Sequence, residues 1–458
     1  MYSYILRRLL LMIPTLLGIT LVVFTVMAAA PGGISAQSLI EGNLEPQAKQ
    51  AMEAYYNRLY GLDQPAPVQY LRWLNNISPI GFTFDESGSI NGFSLFKGSD
   101  LGTSFRYGRS VLDLIEERVP ITLLLNVLSL PIIYLLSIAV GVHAATQRGK
   151  SFDTSSSIAM LGLWSIPTML AGVLLIGFFA SDQYWQWFPT AGLSDREALD
   201  MPFLPHWGSV LDVLLLMLFM VIGLLSLVAL SQYAKRTLRT AIMAGLGGIL
   251  GFMMASDVNA GSGFMSVFLG GIGSVLFGLL GFTSFTALRT SSMGFLGIFL
   301  GILFACALMQ DEFVRGFLLD RIWHLVLPVL CLTYGGFAFL AKLMRTAMLE
   351  NLLADYARTA RAKGLAERDV LWRHVFRNSL LPLITVSASL LPGLLAGSVI
   401  VEAIFSIDGM GKLAVEAVKG RDRELVLSIT LISGLLTLFS YLIADLCYAI
   451  ADPRVSYD

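Results

Sequence analysis

The stretch SIDGMGKLA, residues 406–414, comes closest in this sequence to a pattern that could perform chemistry. A phosphate-binding loop follows G-x-x-x-x-G-K-[ST], where glycine amides and a lysine surround the phosphates of a nucleotide. Gly411 and Lys412 fit, but Ser406 replaces the first glycine and Leu413 replaces the magnesium ligand. We therefore expect no nucleotide site here, so that any ATP hydrolysis must come from a partner.

Histidines and cysteines, the other side chains that could carry catalysis or bind a metal, are few: His143, His206, His324, His374, Cys306, Cys331 and Cys447. The histidines form no H-x-x-x-H or H-E-x-x-H pattern, and the cysteines show no C-x-x-C spacing. The sequence also lacks the G-x-S-x-G turn that presents a nucleophilic serine. We expect no catalytic residue, no metal site and no cofactor.

The composition places this chain in a membrane. Hydrophobic residues make up 55% of the 458 residues, and the mean hydropathy is +0.71. Soluble domains contain about 45–50% apolar residues. Several apolar runs reach the roughly 20 residues of a membrane-spanning helix. We predict an all-α polytopic membrane protein, and the net charge of −1 gives no basis for nucleic-acid binding.

Apolar runs predict about ten membrane spans. They lie at about 1–31, 119–146, 156–180, 209–230, 239–256, 264–288, 292–310, 323–345, 379–401 and 425–450. The first run follows Arg7 and Arg8 and exceeds the h-region of a cleaved signal peptide, so we expect it to be retained. Lys and Arg are more frequent in the short connections on the same side of the membrane as the N-terminus than in those on the other side. This bias places both termini in the cytoplasm. The predicted external segment 402–424 goes against this trend.

The spans and connections suggest five regions. These are a first span (1–31), an external loop region (32–118), spans two and three (119–204), a region with four spans (205–320), and the remaining spans with a cytoplasmic segment at 350–378 (321–458). Within the four-span region, Gly247/Gly251 and Gly297/Gly301 have the GxxxG spacing typical of close helix packing.

The most charged cytoplasmic stretch is DYARTARAKGLAERDVLWRHVFRN, residues 355–378. Its charged residues are Asp355, Arg358, Arg361, Lys363, Glu367, Arg368, Asp369, Arg373 and Arg377. Helical spacing predicts one apolar stripe through Leu349, Leu352, Leu353, Tyr356 and Ala360.

Gly364 should end that helix, and a second should run from about 366 to 377 with Val370, Leu371, His374 and Val375 on one side. The small residues Ala357, Ala360 and Ala362 would let a partner approach closely. From physical chemistry alone, a protein-docking knob and a loop lying on anionic headgroups are equally supported.

An ion-coupled carrier would place carboxylates inside its spans. Asp212 and Asp445 are the main acids with apolar neighbours, and both lie near predicted span ends, as does His143. Pro167 could act as a gating kink, although neighbouring helices often accommodate proline in membranes. The sequence therefore gives little support to an ion-coupled secondary transporter.

The stretch RTARAKG resembles the EAA motif of ABC importer membrane subunits, with LLP (380–382) following it. Arg358 and Thr359 differ from the motif, whereas Ala360 and Gly364 match it. Five further blocks resemble the B-type permease of dipeptide, oligopeptide and nickel importers: YILRRLLLMIPTLLGITLVVF, GLDQPAPVQYLRW, DLGTSFRYGRSVLDLIEERVPITLLL, VEAIFSIDGMGKLAVEAVKGRD and DLCYAIADPRVSY. Segments 75–99 and 205–320 are additions relative to that family.

The resemblance implies a six-span type I permease core carrying about four inserted helices. It assigns ATPase coupling to Asp355, Ala357, Arg358, Ala360, Arg361, Ala362, Lys363, Gly364 and Leu365. Glu402, Asp408 and Asp422 would lie near the pathway or its outer gate. Glu402 could equally be a solvated acid at a loop edge. The family continues with Tyr-Pro after Asp422, where this chain has Arg423 and Glu424.

The implied function is that of a permease subunit importing peptides or similar small solutes across a bacterial or archaeal cytoplasmic membrane. Its expected partners are a second homologous permease, two ABC ATPase subunits, an external substrate-binding protein and membrane lipid. Two alternatives stay open: a non-transporting scaffold or sensor that keeps the permease fold, and the less favoured ion-coupled carrier.

Overall fold

The computed structural model describes residues 2–30, 46–60, 64–84, 90–207, 209–256, 263–284, 286–308 and 313–451. Within these residues the chain is helical apart from one small hairpin and the connections. The final family-like block, DLCYAIADPRVSY, therefore lies partly outside the described residues, at 452–457.

The N-terminal part contains three helices and the hairpin, in the order α1 (Tyr2–Ala29), α2 (Pro46–Tyr60), α3 (Ala66–Ile77), β1 (Gly81–Phe84) and β2 (Ile90–Ser94). The antiparallel strands pair Gly81 with Ser94 and Phe82 with Phe93. This hairpin lies in the segment 75–99, so the predicted external loop region contains regular structure.

The helices of the middle part are α4 (Val111–Thr146), α5 (Ser151–Ser165), α6 (Thr168–Phe179), α7 (Val210–Tyr233), α8 (Arg236–Ser256), α9 (Gly263–Phe282) and α10 (Thr286–Leu308). The C-terminal part contains α11 (Gly316–Leu353), α12 (Asp355–Ala362), α13 (Glu367–Asp369), a π-helical stretch (Val370–Phe376), α14 (Arg377–Ile404), α15 (Met410–Lys419) and α16 (Arg423–Ala451).

Eight of the described helices are long and apolar enough to cross a membrane: α1, α4, α7, α8, α9, α10, α11 and α16. The ninth predicted span, 379–401, coincides with the 28-residue helix α14. Two spans extend beyond their predicted bounds, because α4 begins at Val111 and α11 runs from Gly316 to Leu353. The length of an apolar run underestimates the length of a helix whose ends extend into polar surroundings.

The predicted span 156–180 is two helices, α5 and α6, bent by 97°. Pro167 has no N–H to donate, and a residue before proline is driven towards extended conformations. Ile166 accordingly has φ −82° and ψ 120°. Its free carbonyl accepts a hydrogen bond from the Tyr334 hydroxyl at 2.7 Å. The predicted span at 156–180 is therefore broken at Pro167, the residue for which the sequence suggested a kink.

The described chain divides into two compact units: unit 1 contains 1–172 and 328–458, and unit 2 contains 173–327. In unit 1, α16 packs against α1 and α14, and α15 packs against α4 and α14. One buried cluster joins Val111 and Leu114 of α4, Leu413 of α15 and Leu425 of α16.

In unit 2, α7 pairs with α10 and α8 pairs with α9. A Cβ on Gly297 would lie 2.1 Å from the Gly223 carbonyl oxygen, and one on Gly247 would lie 2.2 Å from that of Gly273. The prediction of glycine-mediated close packing is confirmed. Just outside the four helices, His206 and Val314 exchange two backbone hydrogen bonds of 2.9 and 3.0 Å. The chain therefore enters and leaves this group of helices at one place.

Candidate functional site

The predicted coupling segment is a short helix held against the body of unit 1. Helix α11 ends at Leu353, and Ala354 is extended (φ −67°, ψ 151°) before α12 begins. The apolar stripe predicted from Leu349 to Ala360 is therefore interrupted, because the chain changes direction at Ala354. Helical spacing alone could not reveal that break.

The two central alanines of α12 face inward. Ala357 and Ala360 are 0% and 5% exposed. They belong to a buried cluster that also contains Val142, Ala145, Met344, Met348, Val370, Val375 and Leu383. The idea that they admit a partner surface is therefore not supported by this geometry, since helices of the same chain cover them. Ala362 alone of the three predicted alanines is exposed.

Gly364 ends α12 as predicted, in the left-handed conformation (φ +78°). The Leu365 N–H donates to the Ala360 carbonyl at 3.3 Å, and the Gly364 N–H donates to that of Arg361 at 2.9 Å. This pair of bonds is a Schellman C-cap. The cap turns the chain into an exposed tip at Lys363, Gly364, Leu365 and Ala366.

Arg361 forms hydrogen bonds that stabilise the coupling segment. Its guanidinium donates to both Glu367 carboxylate oxygens, at 2.9 and 3.0 Å, and to the Leu352 carbonyl at 3.2 Å. The hydrogen bond from Arg361 lowers the pKa of Glu367, with its positive charge adding to the effect. Arg358 has only a loose contact with Asp355, at 3.7 Å, and both side chains are largely exposed.

Beyond the tip, the second helix has the predicted inner side. Val370 and Val375 are fully buried. The π-helical stretch brings residues five apart onto one face, which is why these two valines align. The sequence showed the apolar side but gave no signal for the π-helix.

Asp153 and Arg345 form an ion pair that the sequence pattern did not indicate. The Arg345 guanidinium donates to both carboxylate oxygens of Asp153, at 2.5 and 2.9 Å, and the Gly149 N–H donates to one of them at 2.9 Å. The bonds attach the start of α5 to α11. Asp153 and Arg345 are 192 residues apart in sequence, so only the tertiary fold could reveal the pair.

Glu402, predicted near the pathway, is fully buried. Its carboxylate accepts hydrogen bonds from the Thr122 hydroxyl at 2.7 Å and from the Lys412 N–H at 3.0 Å. The Thr122 hydroxyl oxygen in turn accepts from the Met410 N–H at 2.8 Å. Glu402 therefore joins the end of α14 to α4 and to the start of α15. The alternative of a solvated acid at a loop edge is wrong.

The glycines of the same turn are required by this packing. A Cβ on Gly411 would lie 2.4 Å from the Val399 Cα, and one on Gly409 would lie 2.5 Å from the Glu402 carboxyl carbon. The glycines of SIDGMGKLA, which resemble a phosphate-binding loop, thus let the backbone close over a buried carboxylate.

Asp408, in contrast, is half exposed and forms ion pairs with Arg118 at 3.1 Å and Lys412 at 2.8 Å. Burial alone would raise the pKa of Asp408, but the hydrogen bonds from Lys412 and Arg118 outweigh it and lower the pKa.

Asp422 is fully buried and caps α16, because its carboxylate accepts from the Leu425 N–H at 3.2 Å. The Ser104 hydroxyl donates to its other oxygen at 2.5 Å. The three acids predicted for the pathway therefore lie around one short helix, α15, and two of them are enclosed by protein.

The sequence matches two family descriptions. Residues 137–457 match the binding-protein-dependent transport system inner membrane component, and residues 1–126 match the N-terminal part of such membrane components. The chain is 30% identical to the oligopeptide transport system permease protein AppB of Bacillus subtilis, with 100% of each chain covered.

Two other relatives have similar coverage. Identity is 27% with the di/tripeptide transport system permease protein DppB of Pseudomonas aeruginosa, covering 100% of this chain and 99% of the relative. Identity is 26% with the peptidoglycan transport system permease protein YejB of Agrobacterium fabrum, over the same shares.

Proposed function

Because the chain belongs to the family of binding-protein-dependent transport system inner membrane components, the permeases of ABC importers, we propose that it imports peptides or similar small solutes. The family match, at 1–126 and 137–457, is the observation that carries this proposal. Members of the family are multi-pass membrane subunits that work with other permease, ATPase and substrate-binding subunits. ATP hydrolysis belongs to the partners, so this chain is not an enzyme.

The substrate class rests on the relatives, which are named for oligopeptide and di/tripeptide transport. We expect a second permease subunit to complete the pathway. The cavity beside the Glu402 network, lined by residues such as Val119, Met410 and Ile429, measures only about 60 Å³. Sites for small ligands usually measure about 300–1,000 Å³. A peptide therefore needs a wall that this chain does not provide there.

For the ATPase, the exposed residues of the coupling segment are the candidates for contact. These are Asp355, Arg358, Arg361, Ala362, Lys363, Gly364 and Leu365. Ala357 and Ala360 instead hold the segment in place. Glu402 and Asp422 have a similar positioning role around α15, and Asp408 is the acid that can meet solvent at the outer gate. Both termini and the coupling segment lie in the cytoplasm in this arrangement.

Transport assays on the co-expressed complex in proteoliposomes test the proposal. With a library of short peptides read by mass spectrometry, we expect uptake that requires ATP and the external binding protein and survives a protonophore. Uptake that collapses with the proton gradient but persists without ATP would identify an ion-coupled carrier. A stable complex that moves no peptide under any of these conditions would identify a scaffold or sensor.

We also propose that the region 205–320 is an insertion that the permease core can lose. Its ends meet at the His206–Val314 bridge, where paired Cα atoms lie about 5 Å apart, so a two- or three-residue linker can replace 207–313. We expect this deletion, which removes four helices, to retain membrane insertion and ATP-driven uptake.

A matched deletion of 235–313 removes only α8, α9 and α10. An odd number of spans reverses the orientation of everything downstream, so we expect it to abolish assembly and uptake. Equal loss of uptake in the two deletions, with both proteins inserted, would show that the four helices are part of the transporter itself.

A further inference from the structure

Three potential metal ligands converge in unit 2, away from the segments discussed above. Asp195 lies in the connection between α6 and α7, whereas Asp320 and His324 lie one turn apart on α11. One ligand atom from each lies within 4.8 Å of the other two. The patterns H-x-x-x-H and H-E-x-x-H do not cover this set, because one ligand comes from a distant connection and the helical pair is Asp-x-x-x-His.

The hydrogen bond of His324 fixes its tautomer. Nδ1 lies 2.9 Å from the backbone carbonyl oxygen of Asp320. A carbonyl can only accept, so Nδ1 carries the proton, and Nε2 of a neutral ring presents a lone pair. This arrangement, with a backbone carbonyl behind the ring, is the one in which metal-binding histidines are usually held.

The lone pair of His324 faces a carboxylate. Nε2 lies 3.5 Å from Asp195 Oδ1, and the His324 side chain is only 2% exposed. Among the residues that the structure describes, this nitrogen has no hydrogen-bond partner. The nitrogen is buried and the Asp195 side chain is 48% exposed, and two acceptors that face each other repel unless a cation lies between them. The geometry therefore calls for positive charge at this point.

Asp320 adds a second buried acceptor, whose Oδ1 has an ion-pair contact but no hydrogen bond in the described part of the chain. Its side chain is fully buried, and its Oδ2 accepts from the Asp195 N–H at 3.0 Å. Arg315 lies nearby, with 2.6 Å from Nη2 to Asp195 Oδ2 and 3.3 Å from Nε to Asp320 Oδ1. Among the described residues, Arg315 is the one arginine that forms ion pairs with these two carboxylates, which leaves one of their charges without compensation.

We propose that Asp195 Oδ1, Asp320 Oδ1 and His324 Nε2 bind a divalent transition metal of the zinc class. Imidazole together with carboxylate suits zinc and its neighbours better than calcium or magnesium, which prefer oxygen ligands alone. The ion fastens the connection around Asp195 to the first turns of α11. Its role is structural, and it does not depend on the transport function.

The full-length chain, purified in detergent with the subunits it carries and then freed of metal, provides the test. We expect added Zn²⁺ to bind at one ion per chain by elemental analysis and to raise the unfolding temperature. Co²⁺ in place of Zn²⁺ should give d–d absorption bands. Neither measurement requires a variant, so a failure to bind either ion in the unmodified protein overturns the proposal.

Variants locate the site. His324→Ala and Asp195→Asn should each remove the bound ion and the stabilisation by zinc, whereas His206→Ala, an exposed histidine of the same unit, should keep both. Retention of the ion in His324→Ala, or its loss in His206→Ala, places the metal elsewhere. Stability that follows pH and ignores metal would identify a proton on Nε2 as the cation and contradict the metal site.

Discussion

Replacing Leu365 by aspartate is expected to abolish ATP-driven uptake and to weaken assembly with the ATPase by at least about 30-fold. Leu365 is an apolar side chain, 42% exposed, at the tip formed by the Schellman cap. An anchor that fills a pocket on a partner typically contributes about 2 kcal/mol or more, which corresponds to that factor. Pull-down of the ATPase and peptide uptake in proteoliposomes measure the effect.

Two further substitutions make the Leu365 experiment interpretable. Leu365→Met keeps an apolar side chain and should retain uptake, and Leu199→Asp places the same charge at an exposed leucine of unit 2 and should also retain it. Ala360→Arg would not serve, because Ala360 is buried and the variant would fail through misfolding. If Leu365→Asp binds the ATPase normally and drives full uptake, the tip is not the coupling surface.

Glu402→Ala is expected to destabilise the protein by about 3 kcal/mol and to abolish uptake. The substitution leaves the Thr122 hydroxyl and the Lys412 N–H without their buried acceptor, and each unsatisfied group costs about 1–3 kcal/mol. The turn between α14 and α15 then loses the group that closes it. Chemical unfolding in detergent, followed by tryptophan fluorescence, gives the free-energy change.

Asp408→Ala is the matched control for Glu402, because the two acids lie six residues apart in the same turn. Its side chain is 55% exposed, whereas its partners Arg118 and Lys412 are 23% and 29% exposed, so we expect a cost of about 1 kcal/mol, smaller than that of Glu402→Ala. Glu402→Gln, which keeps one acceptor oxygen, should fall between the two. Equal costs for Glu402→Ala and Asp408→Ala would contradict the positioning role of Glu402.

Hydropathy located most of the helices of this protein but not the directions they take. Pro167 suggested a kink in the apolar run at 156–180 but not the 97° bend, because a proline within a membrane helix is compatible with either a straight or a broken path. Likewise, the helical period of Leu349, Leu352 and Tyr356 continued through the break at Ala354. Periodicity describes which side chains share a face only while the backbone stays helical.

The candidate site residues also differ in how far the sequence could predict them. Gly364 was predictable because its left-handed conformation is a local property of a helix end. The burial of Ala357 and Ala360 was not, since it depends on Met344, Met348 and Val142 from other helices. The Asp195, Asp320 and His324 cluster was hidden for the same reason, because its members become neighbours only in the folded chain.

The bracing of α12 has a mechanical consequence. Arg361 ties the helix to the Leu352 carbonyl, and Ala357 and Ala360 share a buried cluster with Met344 and Met348 of α11 and with the π-helical stretch. With the tip as the proposed coupling surface, we expect a load applied there to pass through this cluster to α11. From Pro328 to Leu353 that helix forms a rod about 39 Å long, at 1.5 Å per residue. That length exceeds the hydrocarbon thickness of a bilayer, about 30 Å. A tilt of this part of α11 at one face of the membrane would therefore displace its other end at the opposite face.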